Sequence, residues 1–286
     1  MSDCVVRALG ANSEWIGIAA EVTDALKTAI SLRKYDQKTS AALGKVLLCA
    51  AMAASPLKGD DFLSVCLRSK EGDAHLIASA NSAIEIKASA TFHEDEVLEG
   101  PATLTFIKEM GLKTPYSGTV LTDFDSVESG LETYYAQSEQ ILTRAKLSVS
   151  FNEEGEVQRA FGYLLQALPF ASEDTKVKVF QSFDKMLAPE ALEFRGYGPK
   201  EILDALFAGL GENITETKTV TWKCACSKEK GAAMLKSLDS EELRSMVAEG
   251  KTVHITCGFC GKNYYYSVDE IQEFLDSKEE TRVGEA

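Results

Sequence analysis

Four of the seven cysteines fall in one short stretch: Cys224 and Cys226 with a single residue between them, then, after thirty more, Cys257 and Cys260 with two between them. Two close pairs brought together by folding are the usual way a chain supplies the four sulfurs that tetrahedral zinc takes at about 2.3 Å. Four thiolates around a dication leave a net charge of about −2 and no open position, so a metal held there is structural and not hydrolytic. Thiolates also react with peroxide and hypochlorite. Lys223, Lys228, Lys230 and Lys262 flank the two pairs, a setting expected to favour the thiolate form.

Competing ligands are few. His254 lies three residues before Cys257 and reads as a solvent-facing strand residue, while His75 and His93 are isolated. Cys4, Cys49 and Cys66 are scattered in apolar contexts and read as small buried hydrophobes. Cys257 and Cys260 alone would suit a dithiol oxidoreductase, but that chemistry needs a strand-to-helix context without a second metal-ligand pair. Ser138, followed by Glu139 and Gln140, has no histidine partner and reads as a cap or turn residue. The chain is therefore not expected to be an enzyme.

The cysteines need elements to position them. Lys251 to Tyr266 reads as a hairpin carrying Cys257 and Cys260, and glycines 258 and 261 are expected to ease the turn around the sulfurs. Asp239 with Glu242 and Ser267 with Glu270 match capping boxes that start two helices. Residues 220–286 are poor in large aliphatics and near the size at which a core cannot stand unaided, so this domain needs a staple. Upstream, residues 170–219 read as a helical linker. Val177, Phe180, Phe183 and Leu187 are expected to line one helix, and Ile202, Leu203, Leu206, Phe207 and Leu210 another, with Pro199 in the first turn and Gly209 or Gly211 as the stop.

Residues 1–169 alternate short β-branched runs with helical stretches, an α+β or α/β pattern: strands over Cys4 to Leu9, Phe62 to Leu67, Ile84 to Ala88 and Lys146 to Phe151, and a buried helix over Ala41 to Ala54. Asn152 to Gly155 reads as a turn and Ala160 to Leu168 as a buried segment stopped by Pro169. The fold class is thus a large mixed α/β N-terminal domain, a helical linker and a small C-terminal zinc-binding domain. Thirty basic against forty-four acidic residues give a net charge of −14, and residues 221–286 hold nine basic and twelve acidic ones, which opposes nucleic acid and anionic membranes as partners. Met1 to Cys4 shows no basic stretch leading into an apolar one, which predicts a cytoplasmic protein.

The Cys-x-Cys, thirty-residue, Cys-x-x-Cys pattern resembles that of the heat shock protein 33 family, the redox-regulated holdase chaperones. Cys224 to Lys230, and Cys257 to Gly261 followed by Tyr264 and Tyr266, resemble the flanks of its two halves. Pro115 to Gly118, Tyr134 to Gln140, Ala41 to Lys45 and Leu165 to Pro169 resemble landmarks of its large domain. Between about Asp60 and Phe92 the chain diverges: the resemblance implies an arginine-glycine turn, and Ile84 to Ala88 contains no glycine.

The resemblance implies that one zinc per chain is held in the reduced, inactive form by Cys224, Cys226, Cys257 and Cys260. It implies that oxidative stress pairs the neighbouring cysteines of each motif in disulfide bonds, expels zinc, unfolds the tail and destabilises the linker. The surface so exposed binds unfolded or partly folded client proteins and prevents their aggregation, and the oxidised form is a homodimer. The alternative reading of the same residues is a structural zinc domain in an interaction protein without redox switching.

Overall fold

The computed structural model describes residues 2–10, 13–71, 73–92, 98–208 and 211–284. His93, Gly209 and Leu210, singled out from the sequence, lie outside them. The chain divides into two compact units, Met1–Lys223 and Cys224–Ala286.

The first unit begins with β1 (Cys4–Gly10) and β2 (Trp15–Glu21), then α1 (Thr23–Leu32) and α2 (Gln37–Ala54). Helix α1 has no cap of its own. The Asp3 carboxylate takes that place, accepting the Asp24 and Ala25 N–H groups at 3.0 and 2.7 Å. Asp36 caps α2 through the Thr39 N–H. Next come β3 (Phe62–Ser69), β4 (His75–Asn81), β5 (Glu85–Thr91), β6 (Pro101–Glu109), β7 (Tyr116–Asp123), α3 (Val127–Tyr134) with a π-helical turn over 135–139, β8 (Leu142–Phe151) and β9 (Val157–Ala167). The four strands and the α2 helix expected from the sequence are all present.

The segment after Pro169 holds α4 (Glu173–Asp184), α5 (Pro189–Phe194) and α6 (Pro199–Leu206), then β10 (Glu212–Thr219) and β11 (Thr221–Trp222). Two sequence readings change in this segment. Residues 212–219, assigned to the helical linker, form a strand. On α4 the buried residues are Val179 and Phe183, with Phe180 and Leu187 packed part-buried beside them, whereas Val177 is 54% exposed. Pro199 does open α6, and Ile202, Leu203, Leu206 and Phe207 are fully buried.

The strands form a five-stranded sheet, β10-β1-β2-β9-β8, and a six-stranded sheet, β11-β5-β4-β3-β6-β7, antiparallel except for the β11–β5 pair. Alternation along β1, β2 and β9 gives the five-stranded sheet two apolar faces. Val5, Ile18, Ala20, Ala160 and Leu164 join α1, α2, α3 and the inner face of the six-stranded sheet in the main core, where α2 is enclosed on almost every side. Val6, Ala8, Trp15, Ala19, Phe161, Tyr163 and Leu165 face the other way and are covered by α4, α5 and α6. Phe207 seals this second layer against Trp15, ring centroids 3.9 Å apart, and lies so close to Gly17 that a Cβ there would sit 2.3 Å from its Cζ.

Polar ties fix the helices to the sheet. Arg159 on β9 forms a buried ion pair with Glu21 on β2 at 2.7 Å and donates to the Tyr197 carbonyl between α5 and α6 at 2.6 Å. Glu14 accepts from the Ser172 N–H and the Thr175 hydroxyl at the start of α4. In the divergent region the β4–β5 turn is made without glycine: Ile84 takes φ +56 while fully buried, and the Asn81 side chain accepts the Ala83 and Glu85 N–H groups. A β-branched residue in the left-handed region is strained, and burial in the core offsets that cost.

Replacing Arg159 by methionine leaves Glu21 buried without a counter-charge and frees the Tyr197 carbonyl. The expected loss is roughly 3–5 kcal/mol, read as a lower urea midpoint for the first unit; an unchanged midpoint would show that the pair is dispensable.

Candidate metal and redox centre

The second unit is built around a small core. Helices α7 (Lys228–Ser237), α8 (Ser240–Glu249) and α9 (Val268–Gly284) and the hairpin β12 (Val253–Thr256) and β13 (Asn263–Tyr266) enclose Leu235, Leu243, Tyr266, Ile271 and Leu275. Both capping boxes read from the sequence are formed: Asp239 with Glu242, and Ser267 with Glu270. Ser227 adds a third cap by accepting the Lys230 N–H. The Tyr266 hydroxyl donates to the Lys228 carbonyl at 2.7 Å and lies where a Cβ on Gly231 would stand, so the start of α7 is pressed onto β13.

These elements converge on the four cysteines. Cys224 and Cys226 lie on the extended stretch before α7, and Cys257 and Cys260 on the turn between β12 and β13. All four sulfurs lie within 4.8 Å of one another and are half-buried. Cys224 approaches Cys257 at 3.6 Å and Cys226 approaches Cys260 at 3.4 Å, close to the ~3.8 Å separation that tetrahedral bonds of about 2.3 Å impose. The turn is closed by the Cys257 N–H donating to Lys262 and the Gly261 N–H donating to Cys257, both at 2.9 Å. Gly261 is the residue that needs to be glycine, with φ +70; Gly258 has no such requirement. The donor set, its spacing and its partial burial fit a zinc-sized dication, and the four cysteines could hold a metal ion.

The electrostatics differ from the sequence reading. Lys223 pairs with Glu85 and Lys228 with Glu270, each at 2.6 Å; Lys230 donates to the Ala225 carbonyl, and Lys262 lies over the Tyr264 ring. The thiolate-favouring contact comes instead from Tyr264, whose hydroxyl donates to Cys226 Sγ at 3.2 Å and lowers that thiol to about 7. Burial pushes Cys224 up to about 12, although the Cys226 amide points at its sulfur. Burial raises Cys260 as well, so Cys226 is the thiol of the cluster shifted toward the thiolate. Tyr264 entered the sequence reading only as a family landmark; its position two residues before Tyr266 on one strand, among cysteine motifs, is the signal that would have marked it.

The remaining candidates separate from this centre. His254 is exposed on β12 opposite Tyr265, and His75 lies on β4; neither joins the sulfurs. Cys49 is fully buried, while Cys4 and Cys66 are only half-buried, short of the expectation, and burial raises all three thiols. Ser138 and Glu139 are packing residues. Glu139 ties Lys108 and Tyr134 together at 2.5 and 2.7 Å, Tyr134 stacks on Phe106, and Ser138 fills the space above Gly118. Among the described residues no helix is long and apolar enough to cross a membrane.

Comparison with known proteins agrees with the resemblance drawn from the cysteine spacing. Residues 3–267 match the family described as Hsp33 protein. A 33 kDa chaperonin from Agathobacter rectalis is 29% identical over 96% of this chain and 99% of its own length. Another from Thermoanaerobacter sp. is also 29% identical, over 98% of this chain and the whole of its own. A crystal structure of a 33 kDa chaperonin, a heat shock protein 33 homolog from Thermotoga maritima, has a TM-score of 0.84 at 22% identity, covering 98% of this chain and all of that one.

In metal-free, reduced protein Cys226 is expected to alkylate first, with a pH–rate midpoint near its value of about 7. Tyr264→Phe removes the hydroxyl donor and should move that midpoint upward. An unmoved midpoint would show that Tyr264 does not set the reactivity.

Proposed function

The chain belongs to the Hsp33 protein family, and from that premise we propose that it is a redox-regulated holdase, zinc-bound and inactive when reduced and client-binding when oxidised. It is a chaperone of a family that is not an enzyme class. The observation that carries the redox reading is the pairing of two features in one chain: four clustered thiols in a small unit, and an apolar sheet face covered, among the described residues, by the helical segment that precedes them in the sequence.

A zinc ion bound to Cys224, Cys226, Cys257 and Cys260 would compensate their negative charge and contribute roughly 10–16 kcal/mol of apparent folding energy. Among the described residues the rest of that unit's core is five buried hydrophobics with partly buried ones packed against them, a small core that would depend on the sulfurs staying in place. Oxidation proceeds on the thiolates. One attacks a peroxide oxygen and the O–O bond breaks, giving a sulfenic acid and, after protonation, water. The neighbouring thiol then displaces the sulfenic hydroxyl as a second water, forming the S–S bond. Two peroxides thus oxidise the four cysteines.

Proximity in the folded unit does not select the partners, because Cys226 and Cys260 are as close as any pair. Loop closure in the unfolded tail does: neighbours close loops roughly tenfold shorter than the cross-pairs, worth about 2 kcal/mol. The proposed bonds are therefore Cys224–Cys226 and Cys257–Cys260, formed as the tail unfolds. Residues 220–286 are the redox switch and 170–219 the redox-sensitive linker. Release of the linker bares Val6, Ala8, Trp15, Ala19, Phe161, Tyr163 and Leu165, a continuous apolar surface suited to unfolded clients. The net charge of −14 supports solubility in the cytoplasm and argues against nucleic acid as a partner. The oxidised chain is proposed to pair as a homodimer.

Reduced protein should carry about one zinc per chain, bound by sulfur alone in X-ray absorption, as four ligands around one tetrahedral ion require. Peroxide should release it and start suppression of aggregation, reversed by dithiol; retained zinc with aggregation unaltered would refute the switch and favour a purely structural zinc domain. Non-reducing peptide mapping should find the two short-range bonds, and a dominant Cys226–Cys260 bond would contradict pairing by loop closure. Finally, Gly17→Val pushes Phe207 and α6 off the sheet, so reduced, zinc-loaded variant should suppress aggregation without oxidant. If it stays inactive while folded, the sheet face is not the client surface.

A further inference from the structure

The five-stranded sheet is closed differently at its two edges. Along β8, α3 packs beside the strand, and the Glu132 carboxylate accepts the Ala145 N–H at 2.8 Å, satisfying one of the edge's own donors. Along β1, β10 is the closing element among the described residues. It runs antiparallel to β1 over the whole strand, with a bulge between Arg7 and Ala8. Its side chains bury almost nothing: Asn213, Ile214, Thr215, Glu216, Thr217 and Thr219 are exposed, and Lys218 is part-buried. What holds it is the main-chain ladder, a bond from the Thr215 hydroxyl to the Arg7 carbonyl at 3.1 Å, and the Lys218 ammonium donating to the Ser55 and Ser82 carbonyls, each at 3.0 Å.

A strand held this way gains little hydrophobic stabilisation and belongs to the low-stability end of the fold. Strand β1 is the opposite case. Val5 is fixed in one core layer and Val6 and Ala8 in the other, so β1 keeps its place when β10 leaves. It would then present an ordered row of unpaired N–H and C=O groups.

We propose that the outer edge of β1, occupied in the folded chain by β10, is a docking site for extended segments of non-native polypeptide, which add to the sheet as an antiparallel strand in place of β10. This rests on the holdase reading above and names how a client is held. The occupant follows from what the edge already accepts: eight residues of extended chain, in antiparallel register, through main-chain bonds that ask almost nothing of the side chains. Such pairing selects for a free extended backbone and tolerates any sequence, which suits a partner recognised by being unfolded.

Main-chain direction makes the proposal testable at single residues. The Asp3 carbonyl accepts the Val220 N–H and the Arg7 carbonyl accepts from Thr215, so by the two-residue period the Val5 and Arg7 main-chain groups face this edge. Hydrogen exchange is measured on the full-length chain, reduced, oxidised, and oxidised with reduced, carboxymethylated α-lactalbumin as an unfolded probe. The Val5 and Arg7 amides should exchange about tenfold or more faster after oxidation and recover protection when the probe is bound. Protection unchanged by oxidation, or exposure that persists in the complex, overturns the proposal. Arg7→Pro deletes an edge N–H; it should loosen β10 yet cost the oxidised protein most of its aggregation suppression, whereas undiminished or increased suppression overturns the proposal. If the variant does not fold, the exchange measurement on the unaltered chain decides alone. Oxidised protein that holds no probe refutes the holdase reading itself, while probe held with β1 unprotected refutes only this edge.

Discussion

A sheet that is apolar on both faces has to be covered on both, and most of residues 1–223 answers that demand. One cover is thick: α1, α2 and α3 lie between the two sheets, and α2 buries fourteen of its eighteen residues. The other is a single layer of helices of twelve, six and eight residues. Helices of that length are marginal alone in water, so they depend on the sheet for their order as the sheet depends on them for its cover. Their outer side carries Val177 and Phe194 exposed. The buried Glu21–Arg159 pair sharpens the dependence, because its guanidinium also satisfies the Tyr197 carbonyl.

The cysteine unit solves the same problem with other means. Its core is small, and its geometry is set by three helix N-caps, two left-handed glycines, Gly250 and Gly261, and four sulfurs. Cross-pair distances of 3.4 and 3.6 Å are unfavourable for four thiolates without a cation between them. Four thiolates at that spacing need a counter-charge, which a bound cation would supply, and metal occupancy would then be coupled to the folding of the unit.

How much of this the sequence carried depends on whether the constraint is local. Cysteine spacing is local, so the clustering of Cys224, Cys226, Cys257 and Cys260 was legible, as were the capping boxes at Asp239 and Ser267 and the enclosed helix over Ala41 to Ala54. Val177 was misplaced because positions 177, 180, 183 and 187 fit a helical period as well as the face centred on Val179 and Phe183. The α5 helix is too short to show a period. Strand β10 shows none because its pairing is made by main chain and its side chains face water. The role of Tyr264, and the displacement of the lysines onto Glu85, Glu270 and Ala225, depend on contacts made only after folding. In the divergent region a buried isoleucine holds a turn where glycine was expected, a substitution that burial makes tolerable and local propensity does not foresee.

The edge-to-face contact of Trp15 with Phe207 also has an optical side. The chain has two tryptophans, and Trp15, 2% exposed, is shielded by the last residue of the helical cover while Trp222 sits part-buried on β11, next to the cysteine segment. An indole in that setting emits in the blue, and hydration shifts it to the red. The protein thus contains one native fluorophore under the helical cover of the sheet and a second two residues before Cys224 in the sequence, and single-tryptophan variants would report hydration at each without any label.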